Sequence, residues 1–277
     1  MFQYAAGRAL TRRKGGQLKL DTRAFAANPL RRYELGRLRI VAEIATPSEL
    51  DRVEAPMPAW WAAVGRAARL FDRRRIPRFR ERGFRYDPAL GRQPLPLYME
   101  GYWQSERYFG DIAAELRHEL TPTEPISPAN APIAESIRSV EAVSLHVRRG
   151  DYVSRPETNH FHGTCSPDYY RDAVALIKSR LAAPHVFVFS DDFAWARENL
   201  GFDVPTTFVE ANSPADGFRD MQLMSLCRHH IIANSSFSWW GAWLNPSADK
   251  IVIAPRQWFR AAANDVSTLL PDGWIKL

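Results

Sequence analysis

The sequence predicts an α/β protein whose second half is a doubly wound parallel sheet. Three observations make that prediction. From residue 142 onward, short apolar runs alternate with helical stretches, the order expected when each strand is joined to the next parallel strand by a crossover helix. One of those runs, His185-Val-Phe-Val-Phe-Ser190, is nearly continuous in apolar residues, as a strand covered on both faces must be. Apolar residues make up 45% and charged residues 25% of the 277 positions, an ordinary globular balance for a chain long enough for two domains.

Taken in order, the chain opens on a helix. Phe2, Ala5, Ala6, Ala9 and Leu10 follow helical spacing, and a helix that starts at the first residue has no N-cap. Residues 17–21 alternate as a strand, so the chain begins inside a β-α-β unit whose first strand is absent. Between residues 29 and 91, rich in Arg, Pro and Trp, only a helix over 59–75 is predicted. Residues 98–103 form a short strand, and Ser105 caps a helix running to Leu120 through Ile112 and Leu116. Thr121–Pro132 holds four prolines and reads as the linker between an N-terminal domain (1–128) and a C-terminal one (129–277). Beyond it the strands are 142–147, 185–190, 206–209, 230–233 and 250–254. The helices are 166–181, with Pro167 at its first position after the capping Ser166, then 192–200, 216–227 and 237–244.

The net charge is +6, and lysine stands at only five positions, so arginine carries most of the positive charge. Its planar fork grips phosphate in two places. The arginines are dispersed and no nucleic-acid motif is present, which argues against nucleic acid as the partner. Two cysteines, Cys165 and Cys227, make no disulfide framework or zinc spacing and fit a reducing compartment. No apolar run reaches the roughly 18 residues of a membrane helix, and no targeting segment is visible. A cytoplasmic location is expected.

In a doubly wound sheet, ligands bind beyond the carboxyl ends of the strands. Four groups of polar residues stand there. His146, Arg148 and Arg149 follow the first strand of the second half, with Gly150 allowing a sharp turn: an anion site, or a solvated surface turn. Asp191 and Asp192 follow the strand 185–190. No Asp-x-Asp occurs in the chain, adjacent carboxylates diverge, and Asp192 is placed to cap the next helix; Asp191 either binds a ribose or orients an arginine. Asp220 is either a helix-start acid or an acceptor for a purine base. Asn234-Ser235-Ser236 lies between a strand and a helix, where hydroxyls and free N–H groups cradle phosphate; the alternative is an ordinary serine cap.

These segments, in this order, resemble the α-1,2-fucosyltransferases, a glycosyltransferase family 11-like group also found in bacterial surface-polysaccharide clusters. The most specific matches are His146-Val-Arg-Arg-Gly-Asp-Tyr152 and Asn234-Ser-Ser-Phe-Ser-Trp-Trp-Gly241, supported by Phe2–Ala9, Gly101–Glu106, Cys165–Tyr170, Phe189–Asp192, Met224–Cys227 and Pro255–Trp258. The resemblance implies a GT-B fold of two Rossmann-like lobes, with GDP-fucose held by the C-terminal lobe and transferred with inversion to a galactoside hydroxyl. It implies no metal and no other cofactor. Arg148 would contact the donor diphosphate, His146 and Asp220 the guanosine or its ribose, and Ser235 and Ser236 the phosphates; Arg149, Asp191 and Asn234 complete the expected donor site. For the general base Asp151 is preferred over Glu157, although Asp151 would serve equally to pin Arg148. Partners are then a nucleotide sugar and a glycan acceptor, expected to be lipid-linked and met at the inner membrane face through a basic surface. Trp60, Trp61 and Trp103 are either core or platforms for the acceptor's sugar rings.

One departure stands out. The family usually begins with a strand and a Gly-Gly-Leu-Gly-Asn-Gln loop immediately before the Met-Phe-Gln-Tyr segment, which here starts at Met1. A start assigned at an internal methionine is the expected explanation. The alternative is a shortened, catalytically impaired chain that binds nucleotide or glycan. On either explanation this sequence leaves its N-terminal helix without the strand that should cover it, and low stability or partial solubility is expected.

Overall fold

The computed structural model describes residues 1–26, 32–54, 75–260 and 264–277, without the side chains of Asp151 and Ser154. The helix expected over 59–75, with Trp60 and Trp61, lies outside the described residues but for Arg75. The described chain falls into two compact units, one of Met1–Glu119 with Ser267–Leu269, the other of Leu120–Val266 with Leu270–Leu277.

The first unit opens on α1 (Phe2–Lys14), whose small-residue face is buried through Ala5, Ala6 and Ala9. Gly7 lets it lie close to the next segment: a Cβ there would stand 2.7 Å from the Leu18 side chain. The strand expected at 17–21 is β1 (Lys19–Leu20), followed by α2 (Arg23–Ala26), β2 (Glu43–Ile44), which pairs with β1 in parallel, and α3 (Pro47–Glu54). Then β3 (Arg78–Arg80), α4 (Ala89–Arg92) and β4 (Tyr98–Glu100) lead to α5 (Ala113–Glu119). The helix expected from Ser105 to Leu120 is two 3₁₀ turns before α5, with Phe109 between them and Gly110 opening the second. Ser105 still caps, accepting from the Arg107 amide, while its hydroxyl donates to the Thr268 carbonyl at 2.6 Å. Trp103 is fully buried and packed against Phe79 and Tyr108, which makes it core rather than a sugar platform.

The second unit is α6 (Ala131–Ser139), β5 (Glu141–Val147), α7 (Gly150–Ser154), α8 (Pro156–His162), α9 (Pro167–Lys178), β6 (Pro184–Ser190), α10 (Phe193–Asn199) and β7 (Thr206–Phe208), then α11 (Gly217–Leu226), β8 (His229–Ile231), α12 (Ser236–Leu244), β9 (Val252–Ala254) and β10 (Ile275–Lys276). The six strands β5 to β10 form one parallel sheet in the order β10-β9-β8-β5-β6-β7. This is the predicted doubly wound sheet, with β10 as an edge strand that sequence reasoning misses. Two further differences have plain causes. Ala131 and Pro132, read as linker, open α6, because a proline in the first helical turn needs no amide donor. The loop expected after Arg149 is the short helices α7 and α8, broken between them by Pro156.

Alternation along the strands covers both faces of the sheet. Val143, Leu145 and Val147 of β5 and Val186 and Val188 of β6 pack toward α9 and α10. Ala142, Phe187 and Phe189 pack the other way, with Ile137 of α6 and Leu223 and Met224 of α11. Gly241 lets α12 close on α11, since a Cβ there would meet the Met224 side chain at 3.1 Å. Among the described residues no helix is long and apolar enough to cross a membrane.

Candidate active site

The strand order fixes where a ligand binds. From β5 the chain builds outward through β6 and β7 on one side, then returns to lay β8, β9 and β10 on the other. The switch point lies between β5 and β8, and in sheets of this kind ligands bind there, beyond the carboxyl ends of the strands. β5, which carries His146 as its penultimate residue, leads into Arg148–Gly150, β8 leads toward Asn234–Ser236, and neighbouring β6 leads into Asp191–Asp192.

Asp191 organises the first group. One carboxylate oxygen takes the Arg148 guanidinium at 2.8 Å and the other accepts the Arg149 backbone N–H at 2.7 Å. Of the two uses left open for Asp191, the orientation of an arginine is the one visible in these contacts. Gly150 is required by this closeness, since a Cβ on it would lie 2.7 Å from the same carboxylate. The Arg149 guanidinium turns elsewhere, 3.1 Å from Asp192 and 4.0 Å above the Trp195 ring. Asp192 also caps α10 as expected, accepting from the Trp195 amide at 3.1 Å. Arg148 lies 5.4 Å above the Tyr152 ring.

His146 is buried, its ring 5.3 Å from that of Phe237 at the start of α12. Burial, helped by the nearby Arg148 charge, pushes its pKa down to about 3, so the imidazole is neutral. Its Nδ1 is buried and makes no hydrogen bond within the protein. Its backbone carbonyl is held by the Tyr170 hydroxyl at 3.2 Å, and the Tyr169 hydroxyl spans the ends of β8 and β9 through the Ile232 and Ile253 carbonyls. Two adjacent tyrosines of α9 thus clip the strand ends around the switch point, a role the sequence does not reveal.

The residues after β8 divide their work. Asn234 is buried, and its amide donates to the carbonyls of His162, Gly163 and Trp258 at 2.9 to 3.3 Å. It pins two neighbouring loops, while its Oδ1 faces the Cys165 thiol, which burial pushes up to about 11. The Ser235 hydroxyl caps α12 by accepting from the Phe237 amide at 3.3 Å. Ser236, the first residue of α12, is exposed. The N-terminal amides of this nine-residue helix and the Ser236 hydroxyl are the groups placed to meet an anion.

Asp220 reaches the same neighbourhood from α11. Gly217, at the start of that helix, backs onto the Phe237 ring that touches His146. Asp220 accepts from Asn212 at 2.7 Å, and burial raises its pKa to about 6. Glu157 is exposed in the first turn of α8, and the Asp151 side chain lies outside the described residues. Among the described residues no three His, Cys, Asp or Glu side chains come together as metal ligands.

A parallel sheet whose switch point gathers a carboxylate-held arginine, a neutral histidine and a helix N-terminus is a Rossmann-like frame suited to an anionic ligand. Comparison with known proteins gives the family. The sequence matches the model described as glycosyl transferase family 11 over residues 89–277. It is 34% identical to an α-1,2-colitosyltransferase of Escherichia coli over all of this chain and 94% of that one. It is 46% identical to the O-antigen biosynthesis glycosyltransferase WbnK of Escherichia coli over 50% of this chain and 45% of that protein. Human galactoside α-(1,2)-fucosyltransferase 1 is 25% identical over 65% of this chain and 52% of its own length. The chain belongs to glycosyl transferase family 11.

Proposed function

We propose that this chain is an inverting transferase that moves L-fucose from GDP-fucose to a galactoside hydroxyl in α-1,2 linkage, within O-antigen or other surface-polysaccharide synthesis. One observation carries the proposal: Arg148 is fixed by Asp191 at the switch point, beside the neutral His146 and the N-terminus of α12. The chemistry follows from that arrangement. As the bond from the sugar carbon to the diphosphate breaks, negative charge grows on the leaving oxygens. The Arg148 guanidinium and the N–H groups opening α12 supply the opposing charge already oriented, which is the form of electrostatic help that lowers a barrier most. A metal is not needed in this scheme, and turnover is expected to survive chelation. Asp151 is the proposed base that takes the acceptor proton, and the two compact units are proposed to serve as the two lobes of a GT-B fold. The proposed acceptor is a lipid-linked glycan approached at the inner membrane face, consistent with the net charge of +6.

The whole-length likeness to an α-1,2-colitosyltransferase favours a second reading of the donor sugar, in which colitose takes the place of fucose. The α-1,2 linkage is common to both readings. The deciding experiment incubates the protein, without metal, with GDP-fucose or GDP-colitose and a set of galactosides, and determines the product linkage by NMR. An α-1,2-linked product from GDP-fucose supports the proposal. Product only from GDP-colitose moves the donor to the second reading. GDP binding with no product from any pair reduces the chain to a nucleotide-binding relative.

A further inference from the structure

Asp220 has surroundings that a simple helix-start acid does not need. Its Oδ1 accepts from the Asn212 amide at 2.7 Å, and the Asn212 carbonyl in turn accepts from the Asn130 amide at 2.9 Å. Asn130 occupies the N-cap position of α6, where an asparagine ordinarily accepts from a helix N–H. Here its side chain makes no cap bond and is given to Asn212 instead, at 1% exposure and with its Oδ1 buried and unpartnered. The two amide donors therefore act in series, Asn130 on Asn212 and Asn212 on the carboxylate. All three residues stand at the carboxyl edge of the sheet: Asn130 before the helix that feeds β5, Asn212 after β7, and Asp220 at the start of α11.

We infer that Asn212, backed by Asn130, is a positioning residue that holds Asp220 ionised and turned to accept hydrogen bonds from the guanosine of the donor. This rests on the donor reading proposed above. The charged neighbours make such support necessary. Burial and the nearby Asp216 both disfavour the ionised form, and the Asn212 bond is the contribution that opposes them. Arg219, the adjacent cation, is drawn to Glu124 and stands 4.0 Å from Asp216. Of the helices packed on α11, α12 has no ionisable side chain, and α6 carries Glu135 and Arg138. With a pKa of about 6, Asp220 is ionised at pH 7 by a margin of only about one unit, so losing one donor matters.

The test is calorimetric titration with GDP from pH 5.5 to 9, on the full chain and on variants shown folded by circular dichroism. Wild-type affinity is expected to fall as the pH drops through about 6. In Asn212→Ala the raised Asp220 pKa moves that midpoint upward. GDP then binds about fivefold more weakly at pH 7 and recovers wild-type affinity at pH 9. Asn212→Ser, with a hydroxyl to donate, restores part of the loss, and Asn130→Ala moves the midpoint the same way by less. A merely structural role would weaken binding equally at every pH, and that result, or an unmoved midpoint in both Asn212→Ala and Asn130→Ala, overturns the relay. Asp220→Asn that binds GDP like wild type at every pH overturns instead the guanosine reading beneath it.

Discussion

Arg148 and Arg149 are neighbours in sequence, yet their guanidinium groups have different surroundings. Arg149 is engaged by Asp192 and the face of Trp195 on the α10 side, whereas Arg148 is held by Asp191 above the Tyr152 ring, close enough to His146 for its charge to be felt there. The proposed division is that the first holds the turn and the second meets the leaving diphosphate. Arg148→Ala is expected to lower kcat/KM by at least about 10² while thermal unfolding is little changed, since removing one preorganised donor typically costs that much. Arg148→Lys should recover little, because an ammonium cannot engage Asp191 and a phosphate with one planar fork. A folded Arg148→Ala protein with wild-type turnover would remove the residue from the chemistry. Gly150 gives an independent check on the anchor. The added methyl of Gly150→Ala meets the Asp191 carboxylate and must displace it, so activity is expected to drop chiefly in kcat, with only a small loss of stability. Unaltered kinetics in that variant would show that Arg148 does not depend on Asp191.

At the scale of elements, the site is built from strand ends and the segments that follow them, and this decides what sequence can reveal. The strands β5 and β6 are legible because burial on both faces forces near-continuous apolar runs, and α9 because Ser166 and Pro167 announce its start. Arg148 and Asp191 are placed correctly just past strand termini for the same reason, whereas His146, expected to follow the strand, is the penultimate residue of β5 itself. What stays hidden depends on partners distant in sequence. Pro132 signals a break in one context and a first helical turn in another, and only the packing of Ile137 against the sheet chooses α6. The two-residue β10 has no periodicity to read and exists through its pairing with β9. Asn212 lies in a loop, and nothing local indicates that it serves Asp220. Asn234 is the sharpest example: its place after a strand suggests a phosphate ligand, while its amide reaches His162, Gly163 and Trp258. Asn234→Ala leaves those carbonyls without their donor and is expected to destabilise the fold by about 2 kcal/mol in urea denaturation. A loss of GDP affinity with no loss of stability would instead make Asn234 a ligand contact.

Across the whole molecule, the buried ionisable groups predict a protein sensitive to mild acid. His146 is held near a pKa of about 3 and His230 well below its ordinary value, both chiefly by burial. For His230 the hydrogen bonds add a second reason. Its Nε2 faces the Asn245 amide at 2.9 Å and its Nδ1 faces the Ser144 hydroxyl at 2.8 Å. With Nε2 accepting, the ring is neutral, and a second ring proton would be set against the Asn245 N–H₂. In the unfolded chain both histidines take up a proton near pH 6.5, whereas in the folded chain they do not until far lower pH. Their contribution is thus fully present above about pH 6.5 and is lost as the pH falls toward the folded values, by about 1.4 kcal/mol per histidine per pH unit. Asp220 works in the opposite direction: raised to about 6, it takes up its proton in the folded state first and recovers part of the loss between about pH 6 and 4. The salt-bridged Asp21 and Glu49, both lowered to about 2, add to the acid sensitivity only below the ordinary carboxylate range. Between pH 7.5 and 5 the two histidines therefore outweigh the single aspartate, and urea midpoints should fall steadily across that interval. His146→Gln, which removes one titrating ring and keeps a polar side chain, should flatten the slope by up to about 1.4 kcal/mol per pH unit. Equal midpoints at pH 7.5 and 5 would mean that these rings are protonated, or open to water, in the folded protein, and the neutral His146 proposed beside the donor would fall with them.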